Sequence, residues 1–155
     1  MKPKPIRLRP DHVIWVLKHL YRRDGHDRQR HHGGQAVLAS LAHDLQRPVE
    51  LVCGADDVCA PCRYNHHGQC TDRLAWTDKC GKQQWLEQRD ASALALLKLQ
   101  VGTIIPARQL FECFARRLPD LNALRPRHSE LEPASTKGQQ DQDRYAQGLK
   151  LIQQA

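Results

Sequence analysis

Val49-Glu50-Leu51-Val52-Cys53-Gly54-Ala55-Asp56-Asp57-Val58-Cys59-Ala60-Pro61-Cys62 is the stretch on which the architecture turns. Its first five residues alternate in character and are β-branched at two positions, which predicts a short strand that Gly54 breaks. From Gly54 to Gly81 the chain is rich in Asp, Asn, His and Gly and poor in apolar residues. Hydrophobic burial alone would hardly order such a segment, whereas a bound metal would. The stretch therefore predicts a strand that delivers the chain to a cysteine loop, with helices on either side of it.

On the N-terminal side, Asp11 is a candidate N-cap after Pro10, and Val13, Ile14, Leu17, Leu20 and Tyr21 recur on one face, which predicts a first helix near residues 11 to 23. The polar run Arg22 to Gly34, with Gly25, Gly33 and Gly34, interrupts the pattern until Ala36, Val37, Leu41 and Leu45 restart it. That second helix must end before Pro48. On the C-terminal side, Leu86, Ala93, Leu94, Leu97 and Val101 fit a third helix closed by Gly102. Pro106 suits a first helical position, and Leu110, Phe111, Phe114, Ala115 and Leu118 form the stripe of a fourth helix that stops at Pro119. The expected fold is mainly α (α+β): one small helical domain over residues 1–118, with one or two short strands and a metal-binding loop at 53–80. Residues 119–155 are polar, with a weak helical signal around Tyr145 to Ile152, and are expected to be a flexible or loosely docked tail.

Composition supports this class. A chain of 155 residues, 40% hydrophobic and 26% charged, is the size of one ordinary domain. With two Phe, three Tyr and three Trp, its core must be built mainly from Leu, Val, Ile and Ala. The N-terminal segment is basic but broken by Pro3, Pro5 and Pro10, and no apolar run of signal-peptide or membrane-spanning length follows. A cytoplasmic protein, with no membrane partner, is expected. The net charge of +7 is uneven, because residues 1 to 32 carry nine Lys/Arg against three acids, whereas the cysteine region is not basic. The basic flanks suit an acidic protein partner, nucleic acid or solvent, and no interleaved aromatic stacking pattern accompanies them.

Five of the six cysteines fall between Cys53 and Cys80. In a reducing compartment such clustering predicts a metal or redox site and not a disulfide framework. The spacing is Cys53-x5-Cys59-x2-Cys62-x7-Cys70-x9-Cys80, centred on Cys59-Ala60-Pro61-Cys62. Thiolates are soft donors that select zinc or iron-sulfur over magnesium or calcium. Structural zinc usually takes two close pairs, and here there is one, although His66 and His67 bring the run near a zinc knuckle. Cys53-x5-Cys59-x2-Cys62 lies close to plant-type ferredoxin intervals, so an iron-sulfur cluster of unspecified type is the leading cofactor and Zn the alternative. A thiol oxidoreductase is a lesser alternative, because Arg63 to Gly68 makes a poor helix start for a Cys-x-x-Cys redox pair. Asp56 and Asp57 suit capping of loop amides, or a surface-charge role, better than ligation. Cys113, beside Phe111 and Phe114, belongs to core packing. His12 and His19 share a helix face that can aim them at a site, or serve surface and packing roles.

Leu8-Arg9-Pro10-Asp11-His12, Asp56-Asp57-Val58-Cys59-Ala60-Pro61-Cys62 and Gly68-Gln69-Cys70 together resemble an uncharacterised bacterial and archaeal family of possible iron-sulfur binding proteins, the domain of unknown function 1284. The resemblance covers roughly residues 6 to 105 and implies the cofactor while leaving the activity open. Family members typically read Arg-Pro-His-His-aliphatic-aliphatic-Cys near the start, where this chain has Asp11 for the first His and Trp15 for the Cys. Many also carry a cysteine before the paired aspartates, where Ala55 stands here, and a proline where Arg63 stands.

The expected ligands are Cys53, Cys59, Cys62 and Cys70, with Cys80 the rival for the fourth place of Cys53. The expected role is electron transfer or redox sensing with a protein redox partner, and no residue set for substrate chemistry is visible. The alternative is a zinc-stabilised nucleic-acid or protein binding module that presents Arg7, Arg9, Arg22, Arg23, Arg28 and Arg30.

Overall fold

A computed structural model describes residues 2–22, 32–72, 81–127 and 136–155. Strand β1 (Ile6–Leu8) leads into helix α1 (Pro10–His19), and α2 (His32–His43) is followed by β2 (Pro48–Leu51). The cysteine loop then carries a hairpin, β3 (Asn65–His66) and β4 (Gln69–Cys70), before α3 (Lys82–Leu97), β5 (Ile104–Pro106), α4 (Ala107–Arg117) and the C-terminal α5 (Lys137–Gln154). The protein is thus mainly helical with a few short strands. Strand β2 lies at the centre of a three-stranded sheet, parallel to β1 (Ile6↔Val49, Leu8↔Leu51) and antiparallel to β5 (Val49↔Ile105). A parallel pair needs a long crossover, and α1 and α2 lie within the connection that supplies it.

The alternation in Val49-Glu50-Leu51 has its physical basis here, since Val49 and Leu51 are fully buried while Glu50 is only partly so. The expected strand to Cys53 ends two residues earlier, although Val52 N–H still donates to Leu8 carbonyl at 3.0 Å. Strand β1 has no counterpart in the sequence reading, because three residues between prolines give no pattern to read.

Helix α1 is the hub, packed against α5, α3 and α2. Val13, Ile14, Val16 and Leu17 are buried in the core. It ends at His19 and not near residue 23, with Leu20 closing onto Val16. Helix α3 also ends early, at Leu97. Lys98 takes the left-handed conformation (φ 55°) and Leu99 N–H reaches back to Leu94 carbonyl at 3.2 Å, a Schellman-type closure without glycine. Gly102 (φ 91°) instead serves the turn into β5, and Val101 is half exposed. Pro106 ends β5 and caps α4, whose first residue is Ala107.

The largest correction concerns the region beyond residue 118, which was expected to be loose. Helix α5 begins at Lys137 and buries Tyr145, Leu149 and Ile152 in the same core as Phe111 and Phe114. Tyr145 has no exposed surface, and its hydroxyl donates to Leu118 carbonyl at 2.7 Å. The domain therefore runs past the expected boundary. The polar composition concealed this because three apolar residues at positions 145, 149 and 152 suffice to make one narrow stripe.

Two glycines set helix separations. A Cβ on Gly148 would run into the Leu17 carbonyl, so α1 and α5 cross with their backbones nearly touching. A Cβ on Gly34 would meet the ring of Trp15. Gly148→Ala is expected to lower the unfolding free energy by about 1–3 kcal/mol, the usual cost of overpacking. Urea unfolding followed by circular dichroism tests this, because an unobstructed helical Gly→Ala would instead stabilise.

Candidate metal centre

Asp56 organises the cysteine loop. Its side chain is fully buried, and four donors converge on its carboxylate. Oδ1 accepts Val58 N–H at 3.0 Å and Cys59 N–H at 3.1 Å, while Oδ2 accepts Arg9 N–H at 2.8 Å and lies 2.8 Å from His12 Nδ1. Asp57 supports the same junction from the next position, accepting Arg7 N–H at 2.9 Å and returning its own N–H to Arg7 carbonyl at 3.0 Å. Asp56 caps loop amides as expected and also fastens the loop to the start of α1, whereas the Asp57 side chain takes the amide of Arg7 in β1.

The histidine faces opposing influences. Burial pushes the His12 ring down, but the Asp56 carboxylate and its hydrogen bond, with Cys59 beside them, raise its pKa to about 10. Burial also pushes Asp56 up, yet His12 and the donated amides hold it below the ordinary carboxylate range. The folded protein therefore carries an imidazolium paired with a carboxylate, with the Cys59 Sγ 3.9 Å from His12 Nδ1.

A second buried pair stands at the same helix start. Arg9, about 1% exposed, donates Nε–H to Asp90 of α3 at 2.7 Å, and Asp90 also accepts Asp11 N–H at 2.8 Å. Asp90 thus caps α1 from a neighbouring helix, satisfying an otherwise unpaired first-turn N–H. Burial and the adjacent Asp11 carboxylate push Asp90 up to about 6, with Arg9 and the Asp11 amide pulling the other way. Arg89 adds an ion pair to Asp11 at 3.3 Å and lies over the Trp85 ring.

The loop carries its cysteines on consecutive turns. Cys62 N–H donates to Cys59 carbonyl at 2.8 Å, and Asn65 N–H to Cys62 carbonyl at 3.0 Å. The hairpin then sets Cys70 directly opposite Asn65. Its two-residue turn, His67 (φ 51°) and Gly68 (φ 82°), has the paired positive φ that a type I′ turn needs. Gln83 of α3 accepts Cys70 N–H at 2.7 Å and ties the hairpin down. Cys59, Cys62 and Cys70 are free and half-buried, Cys53 is free and exposed, and Cys113 is buried in the core as expected. Cys80 lies outside the described residues.

Among the described residues, the group whose ligand atoms all fall within 4.8 Å of one another is His12, Asp56 and Cys59. Cys53, Cys62 and Cys70 are not part of that group. The spacing is that of donors around one ion; thiolates distributed over several irons lie further apart. Asp56 already receives four hydrogen bonds, so its natural part is to orient His12 and the loop and not to ligate.

Sequence reasoning missed Arg9 and Asp90. One signal was present: Asp90 falls on the α3 stripe made by Leu86, Ala93 and Leu97, where a charge demands a buried partner. Arg9, expected on a nucleic-acid surface, is the buried partner of Asp90 and unavailable to it. Arg7 is half exposed, while Arg23, Arg28 and Arg30 lie outside the described residues.

Residues 31–125 match the model of a family described as a protein of unknown function (DUF1284). The match begins after α1 and runs through α4, so it includes the cysteine loop and α3 but not Arg9 or His12; the expected limit near residue 105 falls short of it. No curated protein and no solved structure matches the chain.

Two outcomes follow for the metal-free protein. Asp56→Asn places an amide where four donors converge and is expected to cost about 2–4 kcal/mol of unfolding free energy in urea titration. His12 has a folded pKa above its unfolded value, so its stabilisation is full below about pH 6.5 and lost as pH rises towards 10. The wild-type chain should lose stability across that window relative to His12→Gln; parallel pH profiles would contradict the ion pair.

Proposed function

The chain belongs to this uncharacterised family, and we propose that it is an iron-sulfur protein of the cytoplasm, acting in electron transfer or redox sensing with a protein redox partner. Cys59, Cys62 and Cys70 hold the cluster, with Cys53 or Cys80 as the fourth ligand. The observation that carries this reading is the arrangement of three free, half-buried cysteines, Cys59 and Cys62 on successive hydrogen-bonded turns and Cys70 on the hairpin that follows, between a buried carboxylate and the start of α3. A cysteine kept for packing has no need of such a loop, and Cys113 shows what that alternative looks like. The donor set is soft and rich in sulfur, which suits iron-sulfur or zinc and not a hard cation. The cluster would exchange one electron with a redox centre of the partner.

One observation favours a second reading, a zinc-stabilised binding module. A histidine that ligates zinc commonly offers one ring nitrogen to the metal while the other is held by a carboxylate, and His12 has such a partner in Asp56. In that reading His12 joins the cysteines as a ligand. Nucleic-acid binding gains little from it, because the basic segment loses Arg9 to the interior. No helix among the described residues is long and apolar enough to cross a membrane.

Anaerobic purification followed by a visible absorption spectrum and iron, sulfide and zinc analysis separates the readings. Brown protein with iron and acid-labile sulfide in comparable amounts is the expected result, reduced at least severalfold by Cys59→Ser or Cys62→Ser. Colourless protein with stoichiometric zinc would replace the cluster by the zinc module. Colourless protein without either metal would remove both readings.

A further inference from the structure

The guanidinium of Arg9 is almost completely enclosed, with about 1% of its side chain exposed. Its Nε–H is used by Asp90, but Nη2 has no hydrogen-bond partner among the described residues. An unpaired buried donor on a charged group is costly, and native proteins rarely leave one. Cys59 is close to the same junction, its Sγ lying 3.9 Å from the His12 Nδ1 that Asp56 holds. The Arg9 backbone N–H shares the Asp56 carboxylate with the amide of Cys59 and the ring of His12, so the guanidinium that lacks an acceptor for Nη2 belongs to the residue fastened to the cysteine loop.

Net charge is not what this junction offers. Arg9, His12 and Arg89 are matched by Asp11, Asp56 and Asp90, so an anion gains little from the summed field. It gains from a directed N–H instead. A thiolate-only zinc site supplies no acceptor beyond its ligands, whereas an iron-sulfur centre adds inorganic sulfides, which accept hydrogen bonds from nearby donors.

Resting on the cluster reading above, we propose that Arg9 is a positioning residue for the metal centre: its unused Nη2–H group donates to a sulfur of the cluster at the Cys59 corner, and thereby raises the reduction potential. The direction follows from charge. Reduction adds one electron to the centre, and a donor aimed at its sulfurs stabilises the more negative state. Asp90 holds the guanidinium in place through Nε, and Asp56 joins the Arg9 amide to Cys59 and His12. Arg9 does not ligate, and a loss of the donor leaves all cysteines intact.

Arg9→Lys keeps the positive charge and an ion pair to Asp90 while deleting the second donor. Arg9→Gln combined with Asp90→Asn removes both charges together and serves if the lysine variant folds poorly by circular dichroism. Arg7→Lys, at the half-exposed neighbouring arginine, is the control. Each protein is purified anaerobically, assayed for iron and sulfide, and titrated with dithionite in the presence of redox mediators. The expected result is unchanged iron and sulfide per chain with a lower midpoint potential in the Arg9 variants, and no shift in the control. An unchanged potential in a fully loaded Arg9→Lys protein overturns the role of Arg9 while leaving the cluster standing. Loss of iron from both folded Arg9 variants also overturns it, making the residue a requirement for assembly. Wild-type protein that holds zinc or no metal overturns the cluster reading and this proposal together.

Discussion

A carboxylate with no exposed side-chain surface can persist in a protein interior only if its charge and lone pairs are met, and the Asp56 side chain meets that condition with four donors from three parts of the chain. Two come from the cysteine loop itself, one from the residue before α1 and one from the ring of His12. None of these groups can move far without leaving a buried charge uncompensated. The loop, the end of β1 and the first turn of α1 therefore form one unit, although 44 residues separate His12 from Asp56. An apolar residue could fill the same volume, but it would leave the amides of Val58 and Cys59 unpaired and the direction of Cys59 unfixed.

The start of α1 is the point where the rest of the domain is fastened. Asp56 takes the amide of Arg9, and Asp90 takes that of Asp11 and the guanidinium of Arg9. Two acidic groups at a helix N-terminus also suit its dipole. Farther along, the same helix lies against α5 so closely that glycine is required at position 148. The hub thus links a polar end, which orders the loop, to an apolar body, which supplies the core. A loop poor in apolar residues can be ordered in this way, by hydrogen bonds from a rigid element, with sulfur ligation as a further constraint when metal binds.

The sequence made the helical body legible wherever apolar residues recurred over several turns. The stripe of α4 and most of those of α1 and α3 are buried as expected, with Tyr21 and Val101 exposed beyond the helix ends, and the strand after Pro48 is present. Helix ends were misplaced where closure was achieved without the customary residue, as at Lys98 in place of Gly102. Strand β1 and the hairpin at 65–70 are too short for periodicity to mark. Helix α5 was underestimated because its burial rests on a few residues among glutamines. At the site, the capping role of Asp56 could be inferred from Asx chemistry. Its pairing with His12 could not, since contact across 44 residues depends on how β1 and β2 align. Arg9 looked like part of a basic surface for the same reason: nothing local reveals that Asp90 waits for it.

In the proposed centre sulfur is the dominant neighbour of a bound metal, with Cys59 placed by Asp56, Cys62 on the turn that follows and Cys70 on the hairpin. X-ray absorption at the iron edge of anaerobically purified protein tests that claim most directly. A shell of sulfur neighbours together with a short iron–iron vector is the predicted spectrum. A first shell made of nitrogen and oxygen, with no iron–iron scattering, would contradict it.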